Sequence, residues 1–87
     1  MKRTQLRMGN RIEVAGLSLI PIEQIRLQGD YNDRALWLHA QADPVALVIC
    51  GAGQPYALSL GARALSLSEL RRQLPELASA ISLAIGL

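Results

Sequence analysis

The connections between apolar segments constrain this chain most. Gly9-Asn10, Gly29-Asp30-Tyr31-Asn32-Asp33, Asp43-Pro44 and Gly51-Ala52-Gly53-Gln54-Pro55 each separate two apolar or alternating runs. Loops this short can join antiparallel strands, whereas a parallel crossover needs a dozen or more residues. Residues 4 to 60 are therefore expected to form an antiparallel meander. Residues 4–8 read as a first strand, and Gly9-Asn10 is a turn pair of the kind that closes a two-residue hairpin. Residues 11–15 alternate, with Ile12 and Val14 on one face and Arg11 and Glu13 on the other. Gly16 marks a bulge or bend. Residues 17–20 continue extended, and Pro21 keeps Ile20 out of the helical region. Residues 21–24 read equally as one helical turn or a strand corner.

The segment 25–28 is the next strand, ended by the turn cluster at 29–33. In 35–41, Leu36, Leu38 and Ala40 share one face and Trp37, His39 and Gln41 the other. Asp43-Pro44 is expected to turn the chain again. Residues 45–50 are apolar without a break, which predicts a central strand covered on both faces. Residues 56–60 resume alternation, with Tyr56, Leu58 and Leu60 on one side.

A helix follows, and its start is the best-marked boundary in the chain. Ser66 suits the N-cap, Glu69 at N3 completes a capping box, and Leu65 and Leu70 form the matching hydrophobic staple. Pro75 lies inside the helical pattern, where a proline costs roughly 3 kcal/mol. Leu67, Leu70, Leu74, Leu77, Ile81 and Ala84 nevertheless stay in phase across it. One kinked helix over 66–85 is the preferred reading. Two helices are the alternative, disfavoured because Leu74 would make a poor N-cap for a helix starting at Pro75. The expected fold is α+β: an antiparallel sheet of about five or six strands packed against one kinked C-terminal helix.

Composition bounds the rest. With 87 residues, 51% hydrophobic and 18% charged, the chain reads as one folded domain, 1–87. Residues 1–10 make a basic arm or first strand, 11–60 the sheet and 66–85 the helix. A chain this short buries only roughly 60–65% of its unfolded surface. Its apolar residues are mostly Leu and Ala, with no Phe, so extra burial in a dimer has a clear energetic motive. The single cysteine, Cys50, excludes an intrachain disulfide and a multi-cysteine zinc site, and fits a reducing cytoplasm. Met1-Lys2-Arg3 could open a signal peptide, but Gln5, Arg7, Asn10, Arg11 and Glu13 interrupt the apolar stretch that should follow. A cytoplasmic location is expected.

No constellation for catalysis emerges. If strands 35–41 and 45–50 paired through a turn near 42–43, His39 would face Ala46 and Cys50 would face Ala35. His39 and Cys50 would then stand roughly 13 Å apart along the sheet, too far for a dyad. Asp30, Asn32 and Asp33 lack the later glycine and the glutamate of a calcium loop. Gly51-Ala52-Gly53 lacks the third glycine and following helix of a dinucleotide site. No enzyme, metal or cofactor is expected. Trp37 and Tyr56 are expected to pack in the core rather than serve as exposed stacking platforms.

Two surfaces remain. Lys2, Arg3, Arg7 and Arg11 give residues 1–11 a charge of +4 with no acid, and Arg26, Arg34 and Arg63 could extend this basic side. Residues 77–87 carry no charge at all: Leu77, Ala78, Ile81, Ser82, Leu83, Ile85, Gly86 and Leu87 are the candidate interface. That tail could be buried in its own fold, packed on a second copy or another protein, or laid on a membrane surface. It is too short to span a ~30 Å bilayer core, since eleven helical residues reach about 16 Å.

The order of strands, meander and closing helix is loosely similar to a pleckstrin-homology-like module. Ile20-Pro21-Ile22-Glu23-Gln24-Ile25 followed by strands resembles the opening of LytTR-type DNA-binding domains. Neither resemblance implies a functional residue. The leading expectation is a non-catalytic protein-interaction module acting as a homodimer. Nucleic-acid or polyanion binding through the N-terminal arm is the alternative, and a membrane surface ranks below both.

Overall fold

In the computed structural model of the protein, residues 2–31, 35–51, 53–61 and 63–86 are described. The expected turn residues Asn32 and Asp33 lie outside them, as do Arg34, Ala52 and Leu87. The chain order is β1 (Lys2–Met8), β2 (Ile12–Val14), β3 (Leu17–Tyr31), β4 (Leu36–Cys50), β5 (Tyr56–Ser59), α1 (Leu67–Gln73) and α2 (Leu77–Ala84). The strands form one antiparallel sheet in the order β1-β3-β4-β5, with β2 also on β3.

The long hairpin β3–β4 organises everything else. Each strand has 15 residues, or about 50 Å at ~3.3 Å per residue, which accounts for a molecule 54 Å long. The turn expected at Asp43-Pro44 is absent. The chain runs straight through, and β4 takes up Val45 as an extra residue: Ile22 pairs with Ala46, and Glu23 with Pro44. A bulge is one of the few places in a sheet that tolerates proline, because a ladder bond is already missing there. Arg26 holds the spot from β3 through an ion pair with Asp43 at 2.9 Å. The ambiguous segment 21–24 is likewise plain strand.

The hairpin expected at Gly9-Asn10 is also absent. β1 and β2 lie end to end along the same edge of β3, with residues 9–11 set against Ile20 and Pro21. Gly9 donates its N–H to the Pro21 carbonyl at 2.8 Å. A strand residue's N and C=O point the same way, so Pro21's ring nitrogen also faces this interruption, where no ladder bond is lost. The chain reverses instead at Ala15-Gly16, between paired Val14 and Leu17. Both residues have positive φ, 51° and 80°, the mark of a type I′ turn.

α1 and α2 lie on one face of the sheet. Ser66 caps α1, its Oγ accepting the Glu69 N–H at 3.2 Å, and the staple residues Leu65 and Leu70 are both buried. Pro75 divides the helical segment in two, so the single kinked helix is corrected. Leu74, before the proline, leaves the helical region (φ −127°, ψ 85°). The second helix is capped not by Leu74 but by Glu76, which is itself in the αR region. The turn between them, closed by Leu77 N–H to the Leu74 carbonyl at 3.0 Å, preserves the phase. Leu70, Leu74, Leu77 and Ile81 all enter the core with Ile20, Ile22, Ala46, Val48 and Cys50.

Ala15 occupies a left-handed position without the help that glycine or asparagine provides, at a cost of about 1 kcal/mol. Ala15→Asn should therefore raise the unfolding free energy by up to about 1 kcal/mol, and Gly16→Ala should lower it by at least as much. Urea denaturation of both variants checks this pair of opposite signs.

Candidate functional site

The helices reach only part of the sheet. α1 and α2 have seven and eight residues, about 10–12 Å each at 1.5 Å per residue, against strands of about 50 Å. The core ends near Leu6, Ile22 and Val45. Beyond it, the outer halves of β3 and β4 form an arm with no helix on either side among the described residues, in which Ile25, next to the body, is still buried. Leu36 is 64% exposed, Trp37 52%, Leu38 58% and Tyr31 77%. Trp37 and Tyr56 are thus not core residues. Trp37 projects from a level of the sheet beyond the helices, and Tyr56, paired with Ile49, from the body but on the face away from them.

Strand alternation sorts the arm into two faces. Ile25, Leu27, Tyr31, Leu36, Leu38, Ala40 and Ala42 lie on the face away from the helices, and Gln24, Arg26, Gln28, Trp37, His39 and Gln41 on the other. The apolar face continues onto the body of the sheet through Ile12, Val14, Leu17, Leu19, Leu47, Ile49, Tyr56 and Leu58. Gly29 is required within it. A Cβ there would stand 2.6 Å from Leu38 Cδ2 and 2.8 Å from the Trp37 carbonyl oxygen. Leu38 therefore lies across the Gly29 backbone.

β5 pairs only with residues 46–49 of β4. Below that level, among the described residues, no strand lies along the other edge of β4. The sheet thus presents a free edge, Leu36 to Ala42, beside its largest exposed apolar side chains.

Where the free edge meets β5, a cleft of about 300 Å³ opens on the helix side. Leu6, Val45 and Leu65 line it with apolar surface, and Arg26, Asp43 and Arg63 with charge. The Arg26–Asp43 pair is internal to it. Arg63 makes no ion pair among the described residues. The cleft can seat a small group with one negative charge beside Arg63.

The expected site residues are dispersed. Leu77 and Ile81 are buried in the chain's own core, while Ala78, Ser82, Leu83, Ile85 and Gly86 face outward. Leu83, 71% exposed, lines a shallow groove with Met8, Gly9, Arg11, Ile20 and Ala80. Of the basic residues, Arg7 pairs with Glu23 at 2.7 Å and Arg11 with Glu13 at 3.0 Å. Lys2 and Arg3 point to opposite faces of β1. The expected facing of His39 with Ala46 and of Cys50 with Ala35 fails, because both residues belong to one strand. His39 pairs with Gln28 and Cys50 with Ser18, about 36 Å apart along β4. Among the described residues no cluster of metal-binding side chains forms, and no helix is long and apolar enough to cross a membrane.

The sequence signal for the arm was the alternation Leu36-Trp37-Leu38-His39-Ala40-Gln41-Ala42. It identifies the faces correctly but carries no information on whether a layer covers them. Comparison with protein-family models, with curated proteins and with solved structures finds no match for this chain.

Cys50 is fully buried, and burial pushes its thiol above the ordinary value of 9.0. The folded state holds this proton more tightly than the unfolded chain. The corresponding stability is intact below the unfolded thiol's pKa and is lost as pH rises through and beyond it. Native protein should react with a thiol reagent at least about a hundredfold more slowly than unfolded protein, because reaction waits on opening of the core. Spectrophotometric titration with and without denaturant measures that ratio.

Proposed function

We propose that this protein is a non-catalytic protein-interaction module that works as a homodimer. One observation carries the reading: the arm exposes Tyr31, Leu36 and Leu38 on the sheet face away from the helices, continuous with the apolar face of the body, and Trp37 on its other side. Contiguous exposed apolar patches on soluble proteins commonly mark interaction surfaces. Aromatic and aliphatic anchors clustered in this way are typical of interface centres. The absence of charge in 36–42 adds support, since two copies could approach there without repulsion. The non-catalytic part rests on the positions of His39 and Cys50, one exposed on the arm and the other sealed in the core.

The contact surface proposed here differs from the C-terminal helix favoured by sequence. That helix contributes its apolar stripe to its own core and leaves Leu83 and Ile85 as a smaller outward patch. The polyanion alternative draws less support. Arg7 and Arg11 are already paired, and the free charges do not share a face. It requires binding to a phosphate polymer that weakens steeply with salt and disappears when Lys2 and Arg3 are replaced by Ala.

Light scattering over a concentration series should give twice the 9.4 kDa chain mass. Leu36→Glu should weaken self-association by about a hundredfold or more with an unchanged far-ultraviolet circular dichroism spectrum. Leu83→Glu should leave the dimer intact. A dimer dissociated by Leu83→Glu and not by Leu36→Glu would return the interface to the C-terminal helix. A chain that stays monomeric at millimolar concentration would end the homodimer reading.

A further inference from the structure

The backbone of the arm identifies how a second copy would bind. This inference rests on the homodimer reading and adds its geometry. Pro21's carbonyl faces β1, so the odd-numbered residues of β3 present their N–H and C=O to β1 and the even-numbered ones present theirs to β4. Gln24, Arg26, Gln28 and Asp30 therefore bond Asp43, Gln41, His39 and Trp37. The intervening residues of β4, Leu36, Leu38, Ala40 and Ala42, turn their N–H and C=O outward along the free edge.

Edges of this kind are usually protected by lysine, proline, a bulge or a covering loop. Residues 36–42 contain no lysine and no proline, and the bulge and Pro44 lie just beyond. β5 covers the edge only past that point.

We infer that two copies join edge to edge, β4 antiparallel to β4, with the two-fold axis at His39. A two-fold axis perpendicular to the sheet keeps the apolar faces on one side, so only residues of equal parity can stand opposite one another. Three registers are worth comparing. With the axis at His39, Leu36 faces Ala42 of the second copy and Leu38 faces its Ala40. All outward groups of both chains are then paired, two bonds in each of four pairs, about eight in all. With the axis at Ala40, Leu36 is left opposite Pro44. With the axis at Leu38, Ala42 is left beyond the last paired residue of the second copy's strand, and two leucines oppose each other. The His39 register alone sets large against small on the apolar face and leaves no outward group of 36–42 without a partner. Trp37 then faces Gln41 of the second copy across the other side. The result is one continuous sheet through both chains.

This register has direct consequences for variants of the full chain that each add one cysteine to buried Cys50, which is common to all of them. His39 faces itself at a non-hydrogen-bonded pair, where Cα atoms approach to ~4.5 Å, within disulfide range. Under mild oxidation, His39→Cys should form covalent dimer at least about tenfold faster than Ala40→Cys or Leu38→Cys. A second variant needs no cross-link. Ala40→Pro removes an N–H that points away from β3, so the hairpin keeps its bonds, yet the dimer should weaken by about a hundredfold or more. Amide exchange gives a third readout: the N–H groups of Leu38 and Ala40 should be protected at high concentration and exposed on dilution. Faster cross-linking at 40 or 38 than at 39 overturns the register. A dimeric mass with freely exchanging Leu38 and Ala40 amides overturns the edge pairing but leaves the homodimer reading standing. A monomer under all conditions overturns both.

Discussion

The pairing of β3 with β4 is the constraint on which the rest of the molecule depends. Among the described residues it is the longest ladder, and every other strand is placed by it: β1 and β2 on one flank of β3, β5 on one end of β4. The helices then dock where Ile20, Ile22, Ala46, Val48 and Cys50 present an apolar floor. Because the ladder outruns the helices, the fold divides into a layered body and a bare arm. The core, small and built mainly of leucine and isoleucine, lies in the body, and Ile25 at the root of the arm is buried as well. Truncation of Leu70 or Leu77, both fully buried, is therefore the kind of change that costs about 2–5 kcal/mol, a large share of the stability typical of a small domain.

Much of this was legible from residue pattern. The antiparallel class, the two faces of 35–41, the Ser66 cap with its staple, and the in-phase stripe through Pro75 all rest on local chemistry that tertiary context did not override. The failures share one cause. Gly9-Asn10 and Asp43-Pro44 look like turns because their residue types permit turns, but those types equally permit an interruption within an edge and a bulge within a strand. Only the ladder opposite distinguishes the cases. Conversely, Ala15-Gly16 does turn the chain, although alanine is a poor choice for a left-handed position. The cost of Ala15 is met by the pairing of Val14 with Leu17 and of Ile12 with Leu19. Pro75 illustrates a finer point: the stripe correctly kept both segments on the core, but phase alone does not distinguish a kinked helix from two helices joined by a tight turn.

The candidate site was less legible than the fold because exposure is a property of lengths. An alternating strand announces which residues share a face. Whether that face is wet depends on how far a neighbouring helix reaches, and the apparent turn at Asp43-Pro44 concealed the true length of β4. Read as two short strands, the segment would fit beneath the helix, and Trp37 would belong to the core. Read as one strand, it projects beyond. The charged N-terminal residues changed meaning for a similar reason. As a sequence they are a cluster of four; in the fold, Lys2 faces away from Arg3 and Arg7 on β1, Arg11 lies between β1 and β2, and Arg7 and Arg11 are paired with acids from β3 and β2.

The irregularities of the sheet fall at a single level. The break between β1 and β2 at residues 9–11, Pro21 in β3, and the bulge at Val45 in β4 lie side by side across the strands. Bulges bend and twist the strands that carry them, so this line is a transverse crease across an otherwise continuous sheet. The body lies on one side of it and the arm on the other. Ile22 is a core residue and Val45 and Met8 pack against the core at this same line, so the residues that set the arm's direction also carry part of the body's packing.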